Sequence, residues 1–144
     1  MKKNDLYTIT IDGQQTSPGS DEETFRLVTD GEYVVSRGGK SQISYFDSDV
    51  TGSPDDTKTV FVVEPSRITL TRGSWFGADM VFDTGEKHHF LYETPFGSLT
   101  MGVETEYISR ELTKKGGDLK IRYSLDVDNV IISRNSYTIS VKPC

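Results

Sequence analysis

The strongest constraint on the fold of this chain is an alternation of apolar and polar residues with a period of two. It is clearest in the segment LKIRYSLDV, where residues 119, 121, 123, 125 and 127 are apolar or aromatic and the residues between them are polar. Successive side chains of a β-strand point to opposite faces, so this pattern predicts a strand with one buried face and one solvent face. The same alternation occurs in YTITI at 7–11, SLTMGVETEY at 98–107 and YTISV at 137–141.

Shorter candidate strands and the turns between them predict the architecture. The candidates lie at 24–28, 32–36, 42–47, 59–64, 67–71, 79–83 and 87–93, and turn signals such as TDGE, DTGEK, KKGGD and VDN separate most of the strands. Short connections favour hairpins, so we predict an all-β domain over residues 1–144 with little helix. Its expected form is a single antiparallel, mostly up-and-down meander barrel of about 8–10 strands. The interior of such a barrel is filled by side chains or holds one small ligand.

Composition excludes several classes of partner. The formal net charge of the 144-residue chain is −6, whereas nucleic acids and anionic membranes attract clusters of Lys and Arg. The single cysteine, Cys144, cannot form an internal disulfide. No segment reaches the roughly 20 apolar residues of a membrane-spanning helix, and the start MKKNDLYTIT lacks the apolar region of a signal peptide. We therefore expect a cytoplasmic protein that binds neither nucleic acid nor membrane.

No residue pattern typical of catalysis or cofactor binding is present. The chain has no P-loop, no GxSxG motif and no HExxH helix. His88 and His89 are adjacent, and adjacent residues of a strand point to opposite faces, so they are not expected to bind one metal ion together. Cys144 is the last residue of the sequence, and a chain end is a poor place to hold a nucleophile against a general base. We predict no metal and no cofactor, and an enzyme is the least favoured of the function classes.

The phase of the strands points to polar groups inside the barrel. Asp47 is in phase with Ile43, and Arg72 is in phase with Ile68 and Leu70. One interpretation is an internal ion pair between Arg72 and Asp47, and the other is a pocket in which Arg72 receives an anionic group. Trp75 lies in the loop GSWFG, where an aromatic ring either plugs the barrel end or forms the lip of a pocket. The residues predicted to line the interior or its mouth are Tyr45, Asp47, Arg72, Trp75, His88, Tyr92, Tyr107 and Tyr123.

The segment YETPFGSLTMGV at 92–103 carries a family resemblance. Pro95 and Gly97 are typical of a hairpin turn between two strands. With RITLTRG before it and GGDLKIRYSLDVDNVIISRNSYTISV after it, the segment resembles the YwiB-like family, a bacterial domain of unknown function (number 1934). The family has a Tyr-x-Glu where this chain has Tyr45 and Asp47. The resemblance implies a calycin-like, lipocalin-like barrel and assigns no residue a role.

Two functions follow from these expectations. The first is a non-catalytic module that binds a small, partly apolar or anionic ligand in the barrel interior. The alternative is a protein-interaction or structural module with a filled barrel, which acts through an outer face on a partner or in a homodimer. The segment TVFVVE supports the alternative because its apolar residues fall on both faces of one strand.

Overall fold

The computed structural model describes residues 6–46, 58–72 and 80–144, and within these ranges the chain is almost entirely β-structure. The described strands are β1 (Leu6–Thr16), β2 (Glu23–Val35), β3 (Ser41–Phe46), β4 (Lys58–Val63), β5 (Ile68–Arg72), β6 (Met80–Phe82), β7 (His88–Thr94), β8 (Gly97–Thr113), β9 (Gly116–Val127) and β10 (Val130–Pro143). A 3-10 turn at Arg37–Gly39 is the single helical element of these ranges. The described part of the chain contains no helix that is long and apolar enough to cross a membrane.

All ten strands belong to one antiparallel sheet that curls into a nearly closed barrel. The order is β6-β5-β4-β3-β2-β1-β10-β9-β8-β7, so every paired couple of strands is consecutive in the chain except β1 and β10. This confirms the predicted antiparallel meander barrel and its strand number. The strands β6 and β7 lie at the two ends of the order, and the turn that joins them brings the ends together.

Side chains complete the barrel where the two ends of the sheet meet. The backbone N–H of Asp83 donates a hydrogen bond to Thr105 Oγ1 of β8 at 3.1 Å. Farther along β8, the Arg110 guanidinium donates to the carbonyl of Pro65 at 2.7 Å. The Tyr33 hydroxyl donates to the carbonyl of Thr113 at 2.6 Å. The second half of β8 therefore closes one end of the barrel.

The inner faces of the strands form a single hydrophobic core. The contributing residues of a strand are alternate ones, as the sequence alternation predicts, and from β7 the partly buried Phe90 packs against the core. Edge-to-face packing of Tyr7 and Tyr33, with ring centroids 5.4 Å apart, covers the end that β8 closes. The buried core consists of Ile9, Ile11, Tyr33, Ile43, Tyr45, Phe61, Val63, Ile68, Leu70, Phe82, Val103, Leu119, Ile121, Tyr123, Ile139 and Val141.

The predicted turn TDGE at 29–32 is wrong, because β2 runs through it as one continuous strand. The predicted strands 24–28 and 32–36 are the two halves of β2. A Cβ atom at Gly31 would overlap Ile9 Cδ1 and the carbonyl oxygen of Ser44. Glycine stands at this position because β1 and β3 pass too close to β2 for a side chain, and not because the chain turns.

Two β-bulges shift the phase of long strands. In β8 the pairing with β9 jumps from Thr105 to Tyr107 and leaves Glu106 as the extra residue. In β10 the pairing with β9 jumps from Ile131 to Ser133. A bulge reverses the alternation beyond it, because one residue is inserted into a period of two. The sequence alternation of SLTMGVETEY therefore holds only as far as Thr105.

Candidate functional site

The structure gives the sequence-predicted site residues different environments. Tyr45 and Tyr123 are buried members of the core, and His88 is partly buried beside Asp83. Asp47 and Trp75 lie outside the described residues, and for Arg72 and Tyr92 only the strand position is described. Arg72 pairs in register with Thr59, which in turn pairs with Tyr45. The predicted relation between Arg72 and Asp47 therefore stays a prediction.

Tyr107 is not an interior residue, and the expectation from phase is wrong for it. The bulge at Glu106 places Tyr107 opposite Arg122, an outward-facing residue of β9. The Tyr107 side chain is exposed, and the Arg122 guanidinium carbon lies 5.2 Å from the centre of its ring. Beyond the bulge Ile108 takes the inward phase and packs against the core.

A row of aromatic rings crosses the interior at the end opposite the Tyr7–Tyr33 pair. The centroids of Phe82 and Tyr123 are 4.7 Å apart, those of Tyr123 and Tyr137 are 5.9 Å apart, and those of Tyr137 and Phe25 are 6.0 Å apart. Phe25 is half-exposed, and its ring lies over Gly13, where a Cβ atom would overlap it. The row therefore runs from a fully buried ring to the rim of the barrel.

Asn135 stands beside this row and is buried, with 8 % of its surface exposed. It pairs with Tyr123 across β9 and β10, which puts both residues on the inner face. Its amide nitrogen donates to Ser133 Oγ at 3.0 Å. Its amide oxygen accepts no hydrogen bond from any described residue. We call Asn135 together with Phe25, Phe82, Tyr123 and Tyr137 the aromatic end of the barrel.

The sequence analysis missed Phe25, Asn135 and Tyr137 as site residues. A signal for Asn135 was present, since it is two residues before Tyr137 and shares its phase. The predicted strand began at Tyr137, whereas β10 begins at Val130. Phe25 gave no comparable signal, because its place at the rim depends on the register of β2 against Gly13 of β1.

A second polar cluster lies on the turn between β6 and β7. Asp83 Oδ1 accepts a hydrogen bond from the N–H of Gly85 at 2.9 Å. Its Oδ2 lies 3.4 Å from His88 Nε2 and 3.5 Å from Arg67 Nη2. The hydrogen bond from Gly85, followed by the contacts with His88 and Arg67, lowers the pKa of Asp83 below its ordinary value of 3.8.

This cluster also contains the donor types that bind metal ions. One ligand atom from each of Asp83, Glu86 and His88 lies within 4.8 Å of the other two. Asp83 is already engaged by Gly85, His88 and the Arg67 cation, and a cation beside a carboxylate opposes a second positive charge there. The arrangement therefore fits a structural latch at the β6–β7 turn better than a metal centre.

A partly buried ion pair joins the turn before β7 to the outer face of β9. Lys87 Nζ is 2.7 Å from Asp126 Oδ2, and it donates to Asn129 Oδ1 at 3.2 Å. The exposed fractions of the two charged side chains are 28 % for Lys87 and 7 % for Asp126. Both side chains pack directly against Gly102. A Cβ atom at this position would lie 2.6 Å from Lys87 Cε and 2.7 Å from Asp126 Oδ1. The pair fixes the β6–β7 turn onto the sheet.

Comparison with known proteins gives two matches. A family model described as "Domain of unknown function (DUF1934)" matches residues 9–139. The crystal structure of the ywiB protein from Bacillus subtilis is similar to this chain, with a TM-score of 0.78 and 21 % sequence identity. The alignment covers 96 % of this chain and 92 % of that chain. No curated protein matches the sequence. The matches confirm the resemblance seen in the sequence, and the structural match shows that the two chains share a fold.

Proposed function

This chain belongs to the family described as Domain of unknown function (DUF1934), and we propose from its geometry that it binds a small, partly apolar molecule at the aromatic end of the barrel. The ligand would lie against the rings of Tyr123 and Tyr137 and donate a hydrogen bond to the amide oxygen of Asn135. Binding sites for small molecules are commonly apolar and aromatic, with a few polar groups that fix orientation. The other described core residues are mostly aliphatic, so the aromatic rings beside Asn135 favour this end as the proposed site.

The observation that carries the proposal is the amide oxygen of Asn135. A buried polar atom without a hydrogen bond destabilises a folded protein by about 1–3 kcal/mol. Natural proteins therefore pair almost all such atoms with protein groups, ordered water or a ligand. Asn135 is buried, faces the interior and has no described partner for its oxygen. A ligand N–H or O–H at this position would satisfy the oxygen, and the neighbouring rings would hold the apolar body of the same molecule.

Native mass spectrometry of the protein from its own cells, compared with the mass after denaturation, tests the proposal directly. A mass excess that disappears on denaturation is the expected result. The control is the variant Asn135→Leu, which removes both polar atoms at similar volume and is expected to lose the excess mass. A second control is Thr138→Val, because Thr138 lies on the same strand but on its outer face. This variant is expected to keep the excess mass. An unaltered apo mass for the wild type would contradict the proposal.

A fluorescence titration with 1-anilinonaphthalene-8-sulfonate (a flat aromatic anion) gives an independent readout. We expect saturable binding to the folded wild type and to Thr138→Val, with at least about tenfold weaker binding to Asn135→Leu, equal to about 1.4 kcal/mol. Equal binding to all three proteins would show that the dye does not use the aromatic end. Circular dichroism spectra of the variants check that the barrel is intact.

The outer face supports the alternative function as an interaction module. Leu91 on the outer face of β7 and Phe96 in the turn that follows this strand are both exposed. Apolar side chains that are grouped on a surface are typical of contacts with another macromolecule. In β4, by contrast, Val60 and Val62 on the outer face are partly buried, so the apolar pattern of TVFVVE needs no partner to explain it.

A further inference from the structure

A row of polar residues leads from the aromatic end to the rim of the barrel. Asn135 of β10 pairs with Gln15 of β1, and Gln15 pairs in turn with Glu23, the first residue of β2. Residues directly opposite each other in antiparallel strands project to the same face of the sheet. Asn135 faces the interior, so Gln15 and Glu23 share its face. The backbone of Glu23 lies two strand spacings, or about 10 Å, from that of Asn135.

Carboxylates are concentrated at the end of this row. Asp21, Glu22 and Glu23 are consecutive, and all three residues are exposed where the connection from β1 enters β2. We call these three residues the acidic rim. In the part of the chain that the structure describes, none of them forms an ion pair. The described residues therefore leave their negative charge open to a molecule that approaches the aromatic end.

The arginines nearest to this row point away from it. On the outer face, Arg26 Nε is 2.7 Å from Asp12 Oδ1, and Arg134 Nη1 is 3.5 Å from Glu106 Oε2. Among the side chains that the structure describes at this end, the inner faces of β1, β2, β8, β9 and β10 carry no Lys or Arg. The described surroundings of Asn135 thus contain acceptors and carboxylates rather than cations.

We propose that the molecule bound at the aromatic end is a protonated amine with an aromatic or aliphatic body, an inference that rests on the proposed function. The ammonium group donates an N–H to the amide oxygen of Asn135. The apolar body packs against the rings of Tyr123 and Tyr137. The acidic rim lies at the entrance and attracts the cation before it binds.

Three features favour a cation over a neutral molecule or an anion. The amide oxygen of Asn135 only accepts hydrogen bonds, and a charged donor forms a stronger hydrogen bond with it than a neutral donor does. The faces of the rings of Tyr123 and Tyr137 attract cations through their quadrupole. The acidic rim adds a negative field at the entrance, which raises the local concentration of cations and repels anions.

Isothermal titration calorimetry with two probes of nearly equal shape tests the charge of the ligand. The first probe, 2-phenylethylamine, is a cation at neutral pH, and 2-phenylethanol is its neutral counterpart. The wild type is expected to bind the amine at least about tenfold more tightly than the alcohol at low ionic strength. The preference should shrink as sodium chloride is added, because salt screens exposed carboxylates.

Variants without charge test the acidic rim. The double variant Glu22→Gln with Glu23→Gln should weaken binding of the amine by about three- to tenfold and leave binding of the alcohol unchanged. The matched control is Glu111→Gln with Asp118→Asn. It also removes two carboxylates, which are paired across β8 and β9 on the outer face near the opposite end of the barrel. The control should keep the wild-type affinity for both probes.

The outcomes separate this inference from the proposed function. Equal affinity for the amine and the alcohol, or an equal loss in the rim and control variants, would overturn the inference of a cationic ligand. The proposed function would still stand if 1-anilinonaphthalene-8-sulfonate binds the wild type and binds Asn135→Leu more weakly. Absence of binding by the dye and by both probes would overturn the inference together with the proposed function.

Discussion

The ion pair between Lys87 and Asp126 permits a prediction whose size follows from the structure. Replacing Lys87 with Met keeps most of the aliphatic stem and removes the ammonium group. Asp126 is then left as a charged and nearly buried carboxylate, because its Oδ2 loses the partner at 2.7 Å. The turn between β6 and β7 also loses its hydrogen bond to Asn129.

The expected magnitude lies between those of buried and surface pairs. Removal of one member of a fully buried pair destabilises proteins by about 3–5 kcal/mol, and surface pairs contribute about 0–1 kcal/mol. Lys87 keeps 28 % of its side chain exposed, so water reaches the site after the substitution. We therefore expect Lys87→Met to lower the free energy of unfolding by about 2–3 kcal/mol. For a domain of this length the melting temperature should fall by roughly 6–12 °C.

Urea unfolding followed by tryptophan fluorescence and circular dichroism measures this change. The double variant Lys87→Met with Asp126→Leu removes both charges and should be more stable than Lys87→Met alone, because no unpaired carboxylate remains. A loss below about 0.5 kcal/mol for Lys87→Met would refute the reasoning, since the pair would then behave as a solvated surface contact. A double variant that loses the sum of the two single effects would show that the two groups do not interact.

Three further predictions concern the core, a close contact and the acid limit of stability. Phe82→Ala should destabilise the barrel by about 3–5 kcal/mol in chemical denaturation, because Phe82 is fully buried against Tyr123. Gly31→Ala should destabilise the barrel by about 1–3 kcal/mol or more, since the backbone carbonyl of Ser44 blocks the added methyl group. Gly85→Ala is the control, because a methyl group there makes only an ordinary contact and should not cause this loss of stability. Asp83→Asn should destabilise the protein above pH 4, and the difference from the wild type should vanish as the pH falls. The native pKa of Asp83 lies below its ordinary value, so the stabilisation by its carboxylate is complete above the unfolded-state pKa and is lost as the pH falls through the native pKa. A constant difference across a pH series of melting temperatures would contradict this.

The architecture was predictable because its main signal is local. Alternation in LKIRYSLDV and YTITI, with glycine and proline turns between such segments, leads directly to antiparallel hairpins. The turn Asp128–Asn129 is a clear case, since both residues adopt positive φ angles of 54° and 66° and the sequence carries Asp-Asn there. Alternation and turn residues both depend only on residues that are close together in the chain.

The candidate site was less predictable because it depends on contacts between distant strands. The bulge at Glu106 reverses the phase of Tyr107, and no residue type in ETEY marks the insertion. Gly31 in TDGE predicts a turn, whereas the close approach of β1 and β3 that requires glycine there is visible only in the folded barrel. Asn135 becomes notable because it is buried and its amide oxygen has no hydrogen-bond partner among the described residues, and neither property can be inferred from one strand alone.

The strand order has a consequence for the path of folding. The segments β1–β6 and β7–β10 are each a run of neighbouring hairpins, which can form early because their contacts are local in sequence. The pairing that unites them joins Tyr7 to Pro143 and Ile9 to Val141, across nearly the full length of the chain. Closing so long a loop requires much of the chain entropy to be lost before the new contacts form. The meeting of β1 and β10 is thus expected to be the late and rate-limiting event, so substitutions at Ile9 or Val141 that weaken this pairing should slow overall folding.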